Sequence, residues 1–307
     1  MSFFRSHAGI NITGDKIQIV EIDYREKDPP AEQAGFYVEN VDEEFFAEFL
    51  DLSFSETKII NILQNTFNEL LLRRPLETNN VSFSFPHNFF KIFQLPIDSG
   101  VTSTDLRDHL KWEVSLLYPD FDPDSFIIRH IENVDESNKK VKQAVVFAAL
   151  KRYLKVIHKF CVRNNLILKF IDNSHIAADV FLMNKSIDST VASILLDEKL
   201  FSISILKNQQ LIFFKTFQID SIAEFLNKLK EENDAFEKHE VQGSLYISGN
   251  FISENLLNKL HEETGCEYLL LNPFEKLKVS PSLDGSEFLN KRPYSFTSAA
   301  GIALRLV

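Results

Sequence analysis

The stretch Gly9-Ile10-Asn11-Ile12-Thr13-Gly14-Asp15-Lys16-Ile17-Gln18-Ile19-Val20-Glu21-Ile22 decides how the rest of the chain is read. Apolar residues fall on either side of Thr13-Gly14-Asp15-Lys16, a run of turn formers, so the segment predicts two strands folded back on one another. Gly35-Phe36-Tyr37-Val38 predicts a third strand, beyond a polar stretch that contains Pro29 and Pro30. Ile59, Ile62, Leu63, Phe67 and Leu70 then follow helical spacing over about residues 55–72, and Pro75 ends that helix. Val81-Ser82-Phe83-Ser84-Phe85 alternates as a strand and stops at Pro86.

The same order returns about 180 residues further on. Val191 to Leu196 reads as a strand, Asp197-Glu198-Lys199 as a turn, and Phe201–Leu206 and Leu211–Phe217 as two more strands. A helix over about 221–232 carries Ile222, Phe225, Leu226 and Leu229 on one face. Leu245-Tyr246-Ile247-Ser248 is a strand leading through Gly249-Asn250 into a helix over about 253–264, with Gly265 at its C-terminal cap and a strand at Tyr268–Leu271. Two runs of strands followed by helix in one order predict an internally duplicated α/β unit.

Between them lies a stretch with its own logic. Phe90 to Leu95 reads as a strand closed by Pro96, and Thr102-Ser103-Thr104-Asp105 is a capping box opening a helix that carries Leu106, Leu110, Val114 and Leu117. Tyr118-Pro119 stops that helix, and strands at about 125–132 and 141–150 are joined by Asp135-Glu136-Ser137-Asn138. A helix with Leu150, Leu154, Ile157 and Cys161 on one face, a strand at Leu166–Ile171 and a helix over 174–183 lead into the second half. This gives a first lobe over 1–187 with a small α+β subdomain inserted at about 86–147, and a second lobe over 188–307 whose C-terminal segment packs back toward the first.

Composition limits the chemistry. With 33 Lys and Arg against 44 Asp and Glu, the chain carries a formal charge of −11. That argues against a nucleic-acid partner, because neutralising phosphate takes clustered cations, and the compact basic runs are only Arg73-Arg74 and Lys139-Lys140. Cys161 and Cys266 cannot make a disulfide framework, which predicts a reducing compartment. Met1 to Ser6 has no signal-peptide pattern, and no apolar run has the length of ~18 residues that a spanning helix needs, so a soluble cytoplasmic chain without direct membrane insertion is expected. Eight histidines are scattered without His-Glu-x-x-His spacing, no Cys-x-x-Cys or Gly-x-Ser-x-Gly occurs, and neither a metal site nor a catalytic set is predicted. Phe occurs 29 times and Gly only 9, which favours aromatic cores over glycine-rich phosphate loops.

The order of elements resembles the duplicated actin/Hsp70/sugar-kinase fold, and local motifs narrow the resemblance to the PilM family of type IV pilus assembly proteins. More distantly the chain is similar to FtsA and to the cytoplasmic domain of GspL. The motifs are the opening hairpin, Phe85-Pro86-His87-Asn88, Gln94-Leu95-Pro96, Tyr118-Pro119, Ala148-Ala149-Leu150-Lys151, Ile171-Asp172, Ile247-Ser248-Gly249, Leu271-Asn272-Pro273-Phe274 and Ala299-Ala300-Gly301-Ile302-Ala303-Leu304-Arg305. They span nearly the whole chain.

The resemblance implies a nucleotide position between the lobes, built here from Asn11, Thr13, Gly14, Lys16, Gly249 and Asn250. The sequence departs from that pattern. Asn11 stands where the family has an acidic residue to organise Mg²⁺, and Leu195 to Phe201 puts carboxylates and bulky apolar residues in the second phosphate turn. The site is therefore read as degenerate and no cofactor is expected, with ATP and Mg²⁺ kept as the alternative ligand. The resemblance further implies a non-enzymatic scaffold that binds the short cytoplasmic tail of a single-pass, PilN-like inner-membrane protein and meets other pilus or secretion platform proteins. The tail is expected in a groove between the first lobe and the inserted subdomain, lined by Phe89, Phe90, Phe93, Trp112 and Tyr118, and the acidic balance of the chain favours a basic tail. The alternatives are a nucleotide-binding actin-like ATPase, an FtsA-like filament former or a small-molecule kinase of the same fold. The FtsA-like reading is opposed by the chain ending at Val307 with no amphipathic helix after Arg305.

Overall fold

The computed structural model describes residues 6–25, 35–98, 100–134, 141–183, 185, 189–241, 243–283 and 285–306. The opening hairpin is β1 (Ser6–Ile12) and β2 (Lys16–Arg25), antiparallel with Ile12 opposite Ile17. β3 (Gly35–Phe45) pairs with the other side of β2 and runs well beyond the expected four residues. Ser55 caps α1 (Glu56–Arg73) by accepting from the Lys58 amide, and β4 (Asn80–Phe85) returns parallel to β1.

β5 (Phe90–Asp98), α2 (Ser103–Leu117), β6 (Phe126–Val134) and β7 (Val141–Leu150) form the inserted unit, a three-stranded antiparallel sheet in the order β5-β7-β6 with α2 against it. Thr102 caps α2 as the sequence predicts. Pro96 does not close β5: the strand continues to Asp98 with Pro96 opposite Gln143. β5 is an edge strand, where a residue without an N–H loses no ladder bond. The turn at Asp135–Asn138, Lys139-Lys140, Pro29-Pro30 and residues Met1 to Arg5 lie outside the described residues.

α3 (Lys151–Arg163), β8 (Ile167–Asn173), α4 (Ser174–Ala178) and α5 (Val180–Met183) complete the first half. The single helix expected over 174–183 is two, parted at Asp179, whose carboxylate accepts from Ser193 Oγ at 2.7 Å and Ser204 Oγ at 2.6 Å.

The second half follows the same plan with β9 (Thr190–Leu196), β10 (Leu200–Lys207), β11 (Gln210–Gln218), α6 (Ile222–Glu231), α7 (Asn233–Lys238), β12 (Leu245–Gly249), α8 (Glu254–Thr264) and β13 (Tyr268–Leu270). Gly265 takes φ +70° at the end of α8, as a left-handed cap requires. The chain then crosses back through β14 (Lys278–Val279), α9 (Glu287–Lys291) and α10 (Thr297–Ala303).

Two larger sheets result, β14-β3-β2-β1-β4-β8 and β11-β10-β9-β12-β13. Each repeats the arrangement of an antiparallel three-strand meander extended by parallel strands, the duplicated plan of the actin-like fold. The inner faces are filled by fully buried aromatics such as Phe67, Phe83 and Phe160 in one half and Phe201 and Phe225 in the other, each contributing about 1.5–3 kcal/mol by burial. Among the described residues no helix is long and apolar enough to cross a membrane.

Polar contacts join the halves. His175 on α4 lies between β9 and β10, its ring nitrogens 2.7 Å from Ser202 Oγ and 2.8 Å from Ser193 Oγ, and Asp179 shares Ser193 with it while also accepting from Ser204. Each member is at most 2% exposed. Desolvation pushes the His175 pKa down to about 3 and that of Asp179 up to about 7. At the other end of the chain, His7 on β1 bonds the Ala303 carbonyl through Nδ1 at 2.6 Å and Ser82 Oγ through Nε2 at 3.0 Å, tying α10 to the first sheet.

Candidate functional site

Two regions carry the residues singled out by the sequence. The first is the space between the lobes, bounded by the β1–β2 turn, the β9–β10 turn and the end of β12. All six expected nucleotide positions come together here, but their polar groups are committed to one another. Asn11 donates through Nδ2 to Gln18 Oε1 at 3.0 Å, and its Oδ1 accepts from Ser84 Oγ at 2.9 Å and Ser174 Oγ at 2.7 Å. Gln18 donates to Asn250 Oδ1 at 3.2 Å, and Asn250 donates to Asp197 Oδ1 at 2.8 Å, so a continuous chain of side-chain hydrogen bonds crosses from the first sheet to the second turn. Thr13 Oγ1 is held by Asp15 Oδ1 at 2.6 Å. Lys16 is buried against Glu43 at 3.0 Å, and Arg292 pairs with the same carboxylate at 2.7 Å. The lysine that could have met a phosphate is turned away from it.

Gly249 shows why the turn is tight. Its φ is +121°, and a Cβ there would lie 2.0 Å from the Leu196 carbonyl oxygen; only glycine allows that approach. At Gly14 the Phe49 ring lies where a side chain would be, 2.2 Å from the position of a Cβ. Phe49 and Phe251 thus close a cavity of about 40 Å³ that also meets Asp15, Asp197 and Glu198. Small-molecule sites take about 300–1,000 Å³. Desolvation raises the Asp197 pKa to about 6, with the neighbouring Asp15 charge adding to the rise and the Asn250 bond opposing it. A magnesium–nucleotide does not fit these residues: the cavity is far too small for a triphosphate, and three carboxylates would face it against the single lysine of the described lining, Lys199. Among the described residues no three His, Cys, Asp or Glu side chains converge as a metal ion requires.

The second region is a groove of about 910 Å³ between the inserted sheet and the first lobe. Its floor is Phe90, Phe147 and Ala149, one wall is α3 with Leu154 and His158, and its two borders are the edge strands β6 and β8. Consecutive residues 168–172 of β8 all line it. Residues of both parities do so only where a groove meets a strand's backbone edge rather than its face. Ile127 and Phe170 are both in its lining and are 41% and 42% exposed, a large exposure for such side chains. The second lobe braces the floor: Phe147 meets the Phe214 ring with centroids 5.4 Å apart, and Gln94 Nε2 donates to the Phe214 carbonyl at 2.6 Å.

Of the five aromatics expected in the groove, only Phe90 lines it. Phe89 is 4% exposed and stacks on Phe85 at 4.1 Å, inside the first-lobe core. Phe93 lies three residues along β5 from Phe90 and so faces the opposite side of the sheet, toward α2. Trp112 stands exposed on α2 beside His109, and Tyr118 packs under the inserted sheet with the Lys91 ammonium over its ring.

The groove's charge corrects a further expectation. Although the chain is acidic, the described lining carries six Lys or Arg residues and one carboxylate, Asp172, which pairs with Arg305 at 2.9 Å. A basic tail is therefore not what the local field favours. A signal for this was present in the sequence: Lys151, Lys155 and Lys159 at i, i+4 and i+8 form one basic stripe, with His158 beside it.

The fold defined by these lobes is that of the actin-like ATPases. No protein-family model matches the chain, and no curated protein sequence matches it. Among solved structures, it is similar to a chain of a PilM–PilN type IV pilus biogenesis complex, with 16% identity over 98% of each chain and a TM-score of 0.78. A Bacteroides thetaiotaomicron protein with an actin-like ATPase fold and unknown function has 13% identity, covers 88% of this chain and 91% of its own, and gives a TM-score of 0.54. The ethanolamine utilization protein EutJ from Carboxydothermus hydrogenoformans has 9% identity, covers 97% of this chain and 89% of its own, and gives 0.52. At these identities the likeness establishes the fold.

Proposed function

We propose that this chain is a non-catalytic adaptor of a type IV pilus-like or related secretion assembly platform. It holds the short cytoplasmic tail of a single-pass, PilN-like membrane partner and works at the inner membrane through that partner. The observation that carries the reading is the contrast between an interlobe space of about 40 Å³ and an apolar groove of about 910 Å³ bordered by two strand edges. An extended chain can add to such an edge through backbone hydrogen bonds while its side chains enter the groove. The likeness to a structure of a PilM–PilN complex supports the class of partner.

The interlobe space acts as a structural seam and holds no nucleotide. The test is a thermal unfolding series. A synthetic tail peptide at a hundred times its Kd stabilises by about 2.7 kcal/mol, several degrees in Tm, and Phe170→Asp abolishes that shift. Millimolar Mg-ATP moves Tm by less than a degree. A concentration-dependent rise with Mg-ATP, or a peptide shift indifferent to Phe170, overturns the reading.

A further inference from the structure

Resting on the reading of the groove as a docking site, we infer that the segment it takes is acidic as well as apolar: an extended chain that sets aliphatic side chains against Phe170, Ile127 and Leu154 and carboxylates against Arg129 and Lys155. The charge on the groove is the argument. A chain of formal charge −11 gathers six cations against one carboxylate along this one depression. Some of them have work inside the protein: Lys159 pairs with Glu56, Lys151 bonds the Asp124 carbonyl at 2.6 Å, and Arg305 holds Asp172. Arg129 and Lys155 make no such direct contact. Both are exposed, no ion pair among the described residues involves either, and Lys155 reaches the Glu56 carboxylate only through its longer-range field.

Their placement is matched to an added strand. Ile127, Arg129 and Ile131 alternate with the pleat of β6, so a cation stands between two apolar positions on the same face. Across the groove, Lys155 and His158 lie about one turn apart on α3 with Leu154 beside them. A partner with the period of a strand meets apolar and cationic positions in turn. A basic segment would meet like charges at each, which disfavours it and slows encounter.

The test begins with a display library of random twelve-residue peptides selected against the full chain. Each leading peptide is synthesised in three forms: as selected, with Asp and Glu changed to Asn and Gln, and with them changed to Lys. Affinities are measured by fluorescence anisotropy at low and high salt for the natural chain, Lys155→Glu and Phe170→Asp. Both positions are exposed, and circular dichroism checks that each variant is folded.

The expected result is acidic–apolar peptides whose affinity falls about tenfold in the amide form and further in the lysine form. Their binding weakens with salt, and Lys155→Glu removes the preference for the acidic form. Selected peptides that lose affinity with Phe170→Asp but bind equally well in amide or lysine form overturn the acidic assignment and leave the docking site standing. If no selected peptide responds to Phe170→Asp, the docking site itself fails. A third arm sediments the chain with phosphatidylcholine vesicles containing phosphatidylglycerol; capture abolished by Lys155→Glu, with no peptide dependent on Phe170, makes the groove a lipid site and overturns the proposal.

Discussion

The interlobe space and the groove are built from the same materials, strand edges, turns and aromatic rings, and end in opposite states. Between the lobes, Asn11, Gln18, Asn250 and Asp197 satisfy one another, and Phe49 and Phe251, themselves part-exposed, narrow the remaining cavity to about 40 Å³. In the groove, two strand edges are unpaired and Ile127 and Phe170 are left against water. The side chains between the lobes bond one another around that small cavity, whereas beside the inserted subdomain a groove of about 910 Å³ stays open. Buried polar groups that bond one another need no ligand; exposed apolar groups next to unpaired backbone call for one.

The contrast can be broken most forcefully at Gly249. Gly249→Val sets a side chain on the Leu196 carbonyl and forces a left-handed φ on a β-branched residue; a stability loss of about 3–5 kcal/mol is expected from strain and overpacking together. Chemical denaturation measures it, and a loss under 1 kcal/mol would mean the seam is not tightly made. Next is Gln18→Leu, which takes a bond from Asn11 Nδ2, from Asn250 Oδ1 and from Glu43 Oε2. The expected cost is about 3 kcal/mol, mostly from the buried Asn11 amide left without its acceptor, and Mg-ATP still gives no thermal shift, because the carboxylates remain.

Asp179 tests the seam by pH. Its folded pKa of about 7 stands above its ordinary value of 3.8, so the folded state holds a proton that the unfolded chain has released. That contribution is complete below about pH 4 and is lost as pH rises through 7. Asp179→Asn should therefore lose about 2 kcal/mol less stability than the natural chain between pH 5 and pH 8. His175, with its pKa lowered to about 3, has the opposite sign, losing stability as pH falls from 6.5 toward 3. Equal slopes in the two proteins would show that Asp179 is ionised throughout. The smallest effect on stability belongs to the groove: Phe170→Asp should cost about 1 kcal/mol or less, because the side chain is already 42% exposed.

Much of the fold was legible because periodicity is local. The hairpin around Gly14, the capped helix at Thr102 and the glycine after α8 each declare themselves within a few residues. Pro96 misled because the rule that proline ends a strand weakens at a sheet edge, and whether a strand is an edge depends on residues 50 positions away. That the β1–β2 turn, the β9–β10 turn and the end of β12 would meet was legible, since the duplication implies it. What they do there was not, because Gln18 and Asn250 meet across 232 positions. The groove was the least legible feature. Its lining is drawn from residues around 90, 127–131, 147–159, 168–172 and 305, and no single segment has the period of the whole. Reading aromatics along one strand put Phe90 and Phe93 together, although the pleat sends them to opposite sides.

The contact between His7 and Ala303, 296 residues apart, has a consequence for biosynthesis. α10 packs on β1 and α4, with Gly9 against Ala299 and Ala303 and Gly301 against Ala177, so the sheet begun by β1 lacks one covering layer until α10 has also been synthesised. Strands made early are therefore finished late, and this sheet cannot complete its core from its own stretch of sequence.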